Sequence, residues 1–209
     1  MRTFIVATLM VVASFAYTGF MQLSKGAWAK YEVYNENGQK IIMTTKFLGK
    51  IKYKGLDVNV IEIENIMPKS FESIVQYWSA VGNDKMVKKM ITKTSQGIMC
   101  MSEEMVGMMG GEEAQYHTTT PKEFSPKKPN IKFGTYKLPN GKSVKVAIFK
   151  DGKSEAWVSS EVPFGLVLVK ENGKIVMRLI DYGLKGAKAK IPLKEAKSCA
   201  PMSLPIPVM

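Results

Sequence analysis

Four two-residue turn signals, Asn37-Gly38, Asn140-Gly141, Asp151-Gly152 and Asn172-Gly173, punctuate this 209-residue chain. Asn or Asp followed by Gly reaches, at low steric cost, the positive φ that a type I′ hairpin turn requires at both central positions. The flanking segments alternate apolar and polar residues, the period of a strand with one buried face. These signals confine the chain to a mainly β (α+β) fold. We expect one domain built on a curved antiparallel sheet, an unclosed half-barrel of about eight to ten strands with a short helical plug.

The strands follow in order. Trp28 to Tyr34 alternates cleanly, and a turn at Asn37-Gly38 would set Tyr34 opposite Ile41. Lys50, Lys52 and Lys54 alternate with Ile51 and Tyr53 and are expected to face water or blunt an edge strand, with lipid-headgroup contact as the minor reading. From Leu56 to Ile66 the apolar positions change phase, which predicts a bulge near Val60 and a bend in the sheet. A strand from Phe71 to Ala80, a turn at Gly82-Asn83-Asp84 and a strand from Met86 to Lys93 come next. In the second half, strands at Lys132 to Leu138, Lys142 to Phe149 and Ser154 to Val162 would place Val146 opposite Trp157. The last hairpin, turned at Asn172-Gly173, should pair Glu171 with Lys174, Val169 with Val176 and Val167 with Arg178. It is apolar on both faces near its base, so a further segment must cover it.

Between the halves, helical spacing of Met101, Met105, Met108 and Met109 predicts a helical insertion near residues 98–112. Ser102 would be its N-cap, Glu103 and Glu104 its first turn, and Gly110-Gly111 its stop. His117 to Asn130, with three prolines, reads as an irregular crossing loop, and residues 194–209 as an irregular tail. Glu62 and Glu64 share one strand face and read as a solvated pair rather than an acid/base couple.

Residues 1–16 combine Arg2, an apolar run and Ala13-Ser14-Phe15-Ala16. That is the pattern of a cleaved secretory signal peptide ahead of a domain at 17–193, so the mature protein is expected to be exported, and the resemblance given below implies the periplasm. The formal charge is +12, carried almost wholly by dispersed lysine. Lysine without clustered arginine and exposed aromatics argues against nucleic acid, leaving an anionic membrane surface, an envelope protein or plain solvation as counterpart. The only cysteines, Cys100 and Cys199, would form one disulfide in an oxidising compartment; a free buried thiol at Cys100 is the other reading. We find no Gly-x-Ser-x-Gly elbow, phosphate loop or zinc spacing, and a single histidine, so neither an enzyme nor a cofactor is expected. A minor metal reading sets Met99, Met101 and Met105, with Cys100 and His117, as soft donors for Cu(I).

The aromatic first strand (Trp28, Tyr31, Tyr34), the short central helix, the run WVSSEVPFGLVLV from Trp157, and Leu179-Ile180-Asp181-Tyr182-Gly183 ahead of Gly186-Ala187-Lys188 together resemble periplasmic lipoprotein-carrier, LolA-type proteins. The resemblance implies a carrier for a lipid or another hydrophobic ligand, with acyl chains held between the concave sheet and its helical plug. The family's release-controlling arginine has no matching context, because Arg178 is the only arginine after Arg2. Candidate lining residues are Trp28, Tyr34, Trp78, Met101, Met105, Met108, Val146, Trp157 and Phe164. In the alternative reading the methionines complete a dry core, and the protein is an envelope interaction or sensor module.

Overall fold

The computed structural model describes residues 23–35, 37–67, 71–81, 87–110 and 131–200. The signal-peptide reading, His117 and its proline-rich loop, the Gly82-Asn83-Asp84 turn and the end of the tail lie outside them.

Eleven strands form one antiparallel sheet: β1 (Trp28–Tyr34), β2 (Lys40–Tyr53), β3 (Leu56–Met67), β4 (Phe71–Ala80), β5 (Val87–Thr94), β6 (Gly97–Ser102), β7 (Lys132–Lys137), β8 (Ser143–Asp151), β9 (Ser154–Val158), β10 (Leu166–Glu171) and β11 (Lys174–Gly183). Their spatial order is β6-β5-β4-β3-β2-β1-β11-β10-β9-β8-β7. Two meanders, β1–β6 and β7–β11, are therefore joined through the central β1–β11 pair, and the edges β6 and β7 do not meet. The expected unclosed antiparallel sheet is present, with eleven strands rather than eight to ten. Among the described residues two short helices accompany it, α1 (Glu103–Gly110) and α2 (Leu193–Ser198).

The additional strand is β6. Residues expected in the helix instead pair with β5, Cys100 opposite Ile91 and Met101 opposite Met90. Only Glu103 onward is helical, with Ser102 Oγ accepting from the Met105 N–H at 3.4 Å. Methionine spacing imitates a helix here, while pairing along β5 holds Gly97–Ser102 extended. The tail is likewise partly helical, since α2 begins at Leu193.

Turn chemistry holds at one of the four signals. Asn172 and Gly173 take φ of 51° and 76°, and Glu171 pairs with Lys174. A bulge then shifts the register, so Val169 faces Met177 and Arg178 faces Leu168. At Leu138-Pro139-Asn140-Gly141 the loop has three residues, Gly141 taking the left-handed position (φ 87°) and the Leu138 N–H bonding to Lys142 O. The β8–β9 turn is centred on Gly152 and Lys153, which puts Ile148, not Val146, opposite Trp157; Val146 faces Gly134. At the first turn Asn35 Oδ1 accepts from the N–H groups of Asn37 and Gln39, which lengthens the loop and sets Val33, not Tyr34, opposite Ile41.

The bend expected at Val60 lies on the neighbouring strand. Gly49 pairs with Val60 and Phe47 with Ile61, so Leu48 is the extra residue. β3 itself stays regular, and Val58, Val60, Glu62 and Glu64 all share a face.

Two hydrogen bonds measure the curl of the sheet. Tyr136 of β7 donates its hydroxyl to Leu179 O of β11 at 3.2 Å. Four strand spacings separate these strands, about 19 Å if flat, far beyond a tyrosine's reach. Tyr31 of β1 likewise donates to Leu166 O of β10 at 3.2 Å. The β7–β11 meander is therefore rolled inward. Its inner residues Val144, Val146, Phe164 and Leu166 form one cluster with Tyr31, Met43, Phe47 and Ile63. A second cluster, centred on Val60, Trp78, Ile91 and Cys100, lies on the other face of β2–β6.

Candidate functional site

The registers of β11, β1, β2, β3, β4, β5 and β6 align one residue from each in a row across the sheet: Gly183, Trp28, Lys46, Glu62, Gln76, Ile91 and Cys100. After Gly183 the chain leaves the sheet and runs back along this row, at right angles to the strands. Residues 184–199 form a strap that spans six strand spacings, about 29 Å. It begins where the Ala187 N–H bonds to Gly26 O at 2.9 Å, and ends at the Cys100–Cys199 disulfide. The pairing expected of the two cysteines is thus present, joining strap to edge strand. A side chain at Gly183 would collide with the Trp28 indole, which fixes glycine at the departure point.

The strap is held by polar groups from an otherwise apolar face. Glu62 is fully buried and accepts from the N–H groups of Lys190 (2.9 Å) and Ile191 (3.1 Å), from Gln76 Nε2 (2.9 Å) and from Lys46 Nζ (2.9 Å). Gln76 also donates to Ile191 O at 2.6 Å and accepts from Trp78 Nε1 at 3.2 Å. Lys46 forms a second ion pair with Glu64 at 2.9 Å. Burial disfavours the Glu64 carboxylate, but the hydrogen bond and field of Lys46, with Lys190 beside it, hold its pKa below the usual value. The expectation of a solvated Glu62–Glu64 pair is thereby corrected: both carboxylates lie under the strap, because β3 keeps its phase and presents them on the same face as Val60.

Lys89 is the second anchor. Only 1 % exposed, it donates to Ala196 O at 2.6 Å and Cys199 O at 2.8 Å, around the C-terminal end of α2. Its ammonium sits 5.6 Å from the Tyr53 ring and 5.5 Å from Trp78, two rings that meet edge to face. Cationic charge beside helix C-terminal carbonyls and aromatic faces is favourable. Desolvation nevertheless lowers the Lys89 pKa, and Lys54 adds to the effect.

On the opposite face the registers align Phe47, Ile61, Tyr77, Met90 and Met101, and beside them Thr45, Ile63, Val75, Thr92 and Met99. The strip is buried at β2 and becomes half-exposed through Val75, Tyr77 and Met90 to Met99, which is 37 % exposed. Thr45 Oγ1 is buried there without a hydrogen-bond partner. Helix α1 packs on β5 and β6 beside the strip.

The candidate lining residues do not converge on one cavity. Trp78 lies beneath the strap, and Trp28 is half-buried against Gly183 at its start. Tyr34 donates to Glu32 at 3.0 Å, in a cluster where Arg178 also binds Glu32. Val146 and Phe164 are filled core, and Phe164 holds a left-handed φ of 65° in the Val162–Gly165 turn. Trp157 meets Tyr136 edge to face, with Lys170 5.2 Å from its ring. Met101 is in β6 and Met105 in α1; the Met108 side chain is outside the described set. Cys100 is bonded to Cys199, so it offers no thiolate to the Cu(I) set of Met99, Met101 and Met105. A surface hollow of about 500 Å³ between the β8–β9 and β10–β11 turns is lined by the charged Lys150, Lys153, Glu155 and Lys170 among others.

Lys46, Gln76 and Lys89 went unnoticed in sequence. A signal was present: each shares strand parity with apolar neighbours, Gln76 with Ile74 and Trp78, Lys89 with Val87 and Ile91. A lone polar residue on such a face marks a buried partner. No protein-family model and no curated protein matches this chain.

Proposed function

We propose that the protein is an exported, non-enzymatic carrier of a lipid or another hydrophobic ligand in the periplasm, of the lipoprotein-carrier type. The observation that carries this reading is the half-exposed strip Val75, Tyr77, Met90 and Met99, which continues the inner apolar face of the curled sheet beyond its packed core. Methionine and tyrosine adapt to acyl chains of varied shape. The strap lies on the other face of β2–β6, so the carrier reading assigns the ligand to this one. The unpartnered Thr45 hydroxyl at the deep end is a group that a polar ligand atom satisfies. The disulfide accords with an oxidising compartment.

A second reading, an interaction module with a filled core, is favoured by the dense β8–β11 cluster, where Val162, Leu166 and Leu179 are wholly buried. The deciding experiment is mass spectrometry of an organic extract of protein purified without detergent, beside Met90→Asp. Stoichiometric acyl species with the parent protein, reduced at least tenfold in the variant, are expected. An empty extract together with no binding of a fluorescent fatty acid would establish the module reading instead.

A further inference from the structure

The lysines of this chain are distributed unevenly among partners. Lys40 is paired with Glu32, Lys88 with Glu103, Lys142 with Asp181, Lys150 and Lys170 with Glu155, and Lys190 with Glu64 and Glu72. Lys25, Lys50, Lys54, Lys185 and Lys188 are exposed and form no ion pair with a described acid, as is also true of Lys132, Lys137, Lys145, Lys153 and Lys174 in the second meander. The first five share one end of the sheet. Gly26 donates to Phe47 O at 2.8 Å and accepts from the Ala187 N–H at 2.9 Å, which binds three lysine-bearing segments together. The Lys25 stem lies against Gly49, where an added Cβ would stand 3.1 Å from it. Lys50, Lys52 and Lys54 continue along the β2–β3 hairpin, and the only acid of these segments, Asp57, is paired with Lys52 at 3.0 Å. Two large apolar side chains stand exposed at this end, Leu184 (59 %) next to Lys185, and Leu56 (49 %) at a small hollow shared by Lys54, Glu103 and Glu104.

We infer that this end, formed by the β2–β3 hairpin, Lys25 and the start of the strap, docks on an anionic lipid bilayer. Unpaired lysines on long stems attract anionic headgroups without fixed geometry, and leucines beside them enter the boundary of headgroups and acyl chains. A soluble polyanion satisfies the lysines but offers nothing to Leu56 and Leu184. The inference stands apart from the carrier reading, because the patch shares no residue with the Tyr77–Met90 strip.

The test is flotation of the purified protein with phosphatidylglycerol/phosphatidylcholine vesicles against phosphatidylcholine alone. Binding to the anionic vesicles only, weakening as salt is raised, is expected. The triple variant Lys50→Gln, Lys185→Gln, Lys188→Gln should bind about 100-fold more weakly, roughly fivefold per lysine. The charge-matched triple Lys145→Gln, Lys153→Gln, Lys174→Gln, also exposed but remote from this end, should retain most of the binding, and Leu184→Ser should weaken it several-fold. Near-ultraviolet circular dichroism identical to the parent shows that each variant is folded. Equal losses in both triples would reduce the effect to net charge and overturn the assignment. Absence of vesicle binding, or tighter binding to single-stranded nucleic acid than to vesicles, would overturn it as well.

Discussion

At the scale of single residues, the strongest commitments of the chain are charges on faces that are otherwise apolar. Glu62 joins strap backbone, Lys46 and Gln76 at one buried point, so removing it strands several donors at once. Glu62→Ala should cost about 3–5 kcal/mol in urea unfolding, the range for breaking a buried pair from one side. Glu155 makes the contrasting case near the surface. Its hydrogen bond from Lys150, then those from Trp157 and Lys170, pull its pKa from 4.5 down to about 2. A depressed carboxylate pKa stabilises the fold above the unfolded value and loses that contribution as pH falls through the folded one. The stability difference between parent and Glu155→Gln should therefore be constant above pH 4.5 and shrink from there toward pH 2; a difference unchanged across that window would remove Glu155 as its source. Neither role was legible in the sequence. Acids alternating along a strand look solvated until the segment that covers them is known, and that segment comes more than a hundred residues later.

Strands were the legible elements. The limits of β1 and β4 follow from alternation alone, since period 2 and flanking turn residues are local properties. Registers were less legible, because a single extra residue, Leu48 in β2 or Val176 in β11, slides the pairing beyond it, and bulges leave no dipeptide signature. The strap was not legible as an element: it has no periodicity, and its order comes from tertiary partners. Cys199 was the one clue, through cysteine count. The disulfide closes a sequence separation of 99, for which loop-closure entropy gives a stabilisation of about 4–5 kcal/mol. Cys199→Ser should lose about that much in urea unfolding, with dithiothreitol producing the same loss in the parent and none in the variant. A variant as stable as the parent would mean that Glu62 and Lys89 hold the strap unaided.

For the molecule as a whole, the sequence indicates two runs of hairpins, and the structure adds how they are joined. β1 and β11 pair at the centre, so the chain's two meanders share one sheet while being secured by separate means. The β1–β6 meander is tied from behind by the strap, at Glu62, Lys89 and Cys100. The β7–β11 meander is tied by its own curl, through Tyr136 to Leu179 and Asn140 to Asp181, contacts that involve no strap residue. These two sets of ties divide stability along the sheet, since local opening follows the contacts that each region would lose. Reduction of the disulfide should raise hydrogen-exchange rates in β3–β6 and residues 187–199 while leaving β7–β10 near their oxidised rates. The asymmetry has a consequence for ligand release, because the Tyr77–Met90–Met99 strip lies on strands clamped by the strap, and loosening the strap loosens the floor of the proposed ligand surface. Uniform acceleration across all eleven strands would instead show that the sheet opens as one cooperative unit, with the strap stabilising the curl as strongly as the strands it crosses.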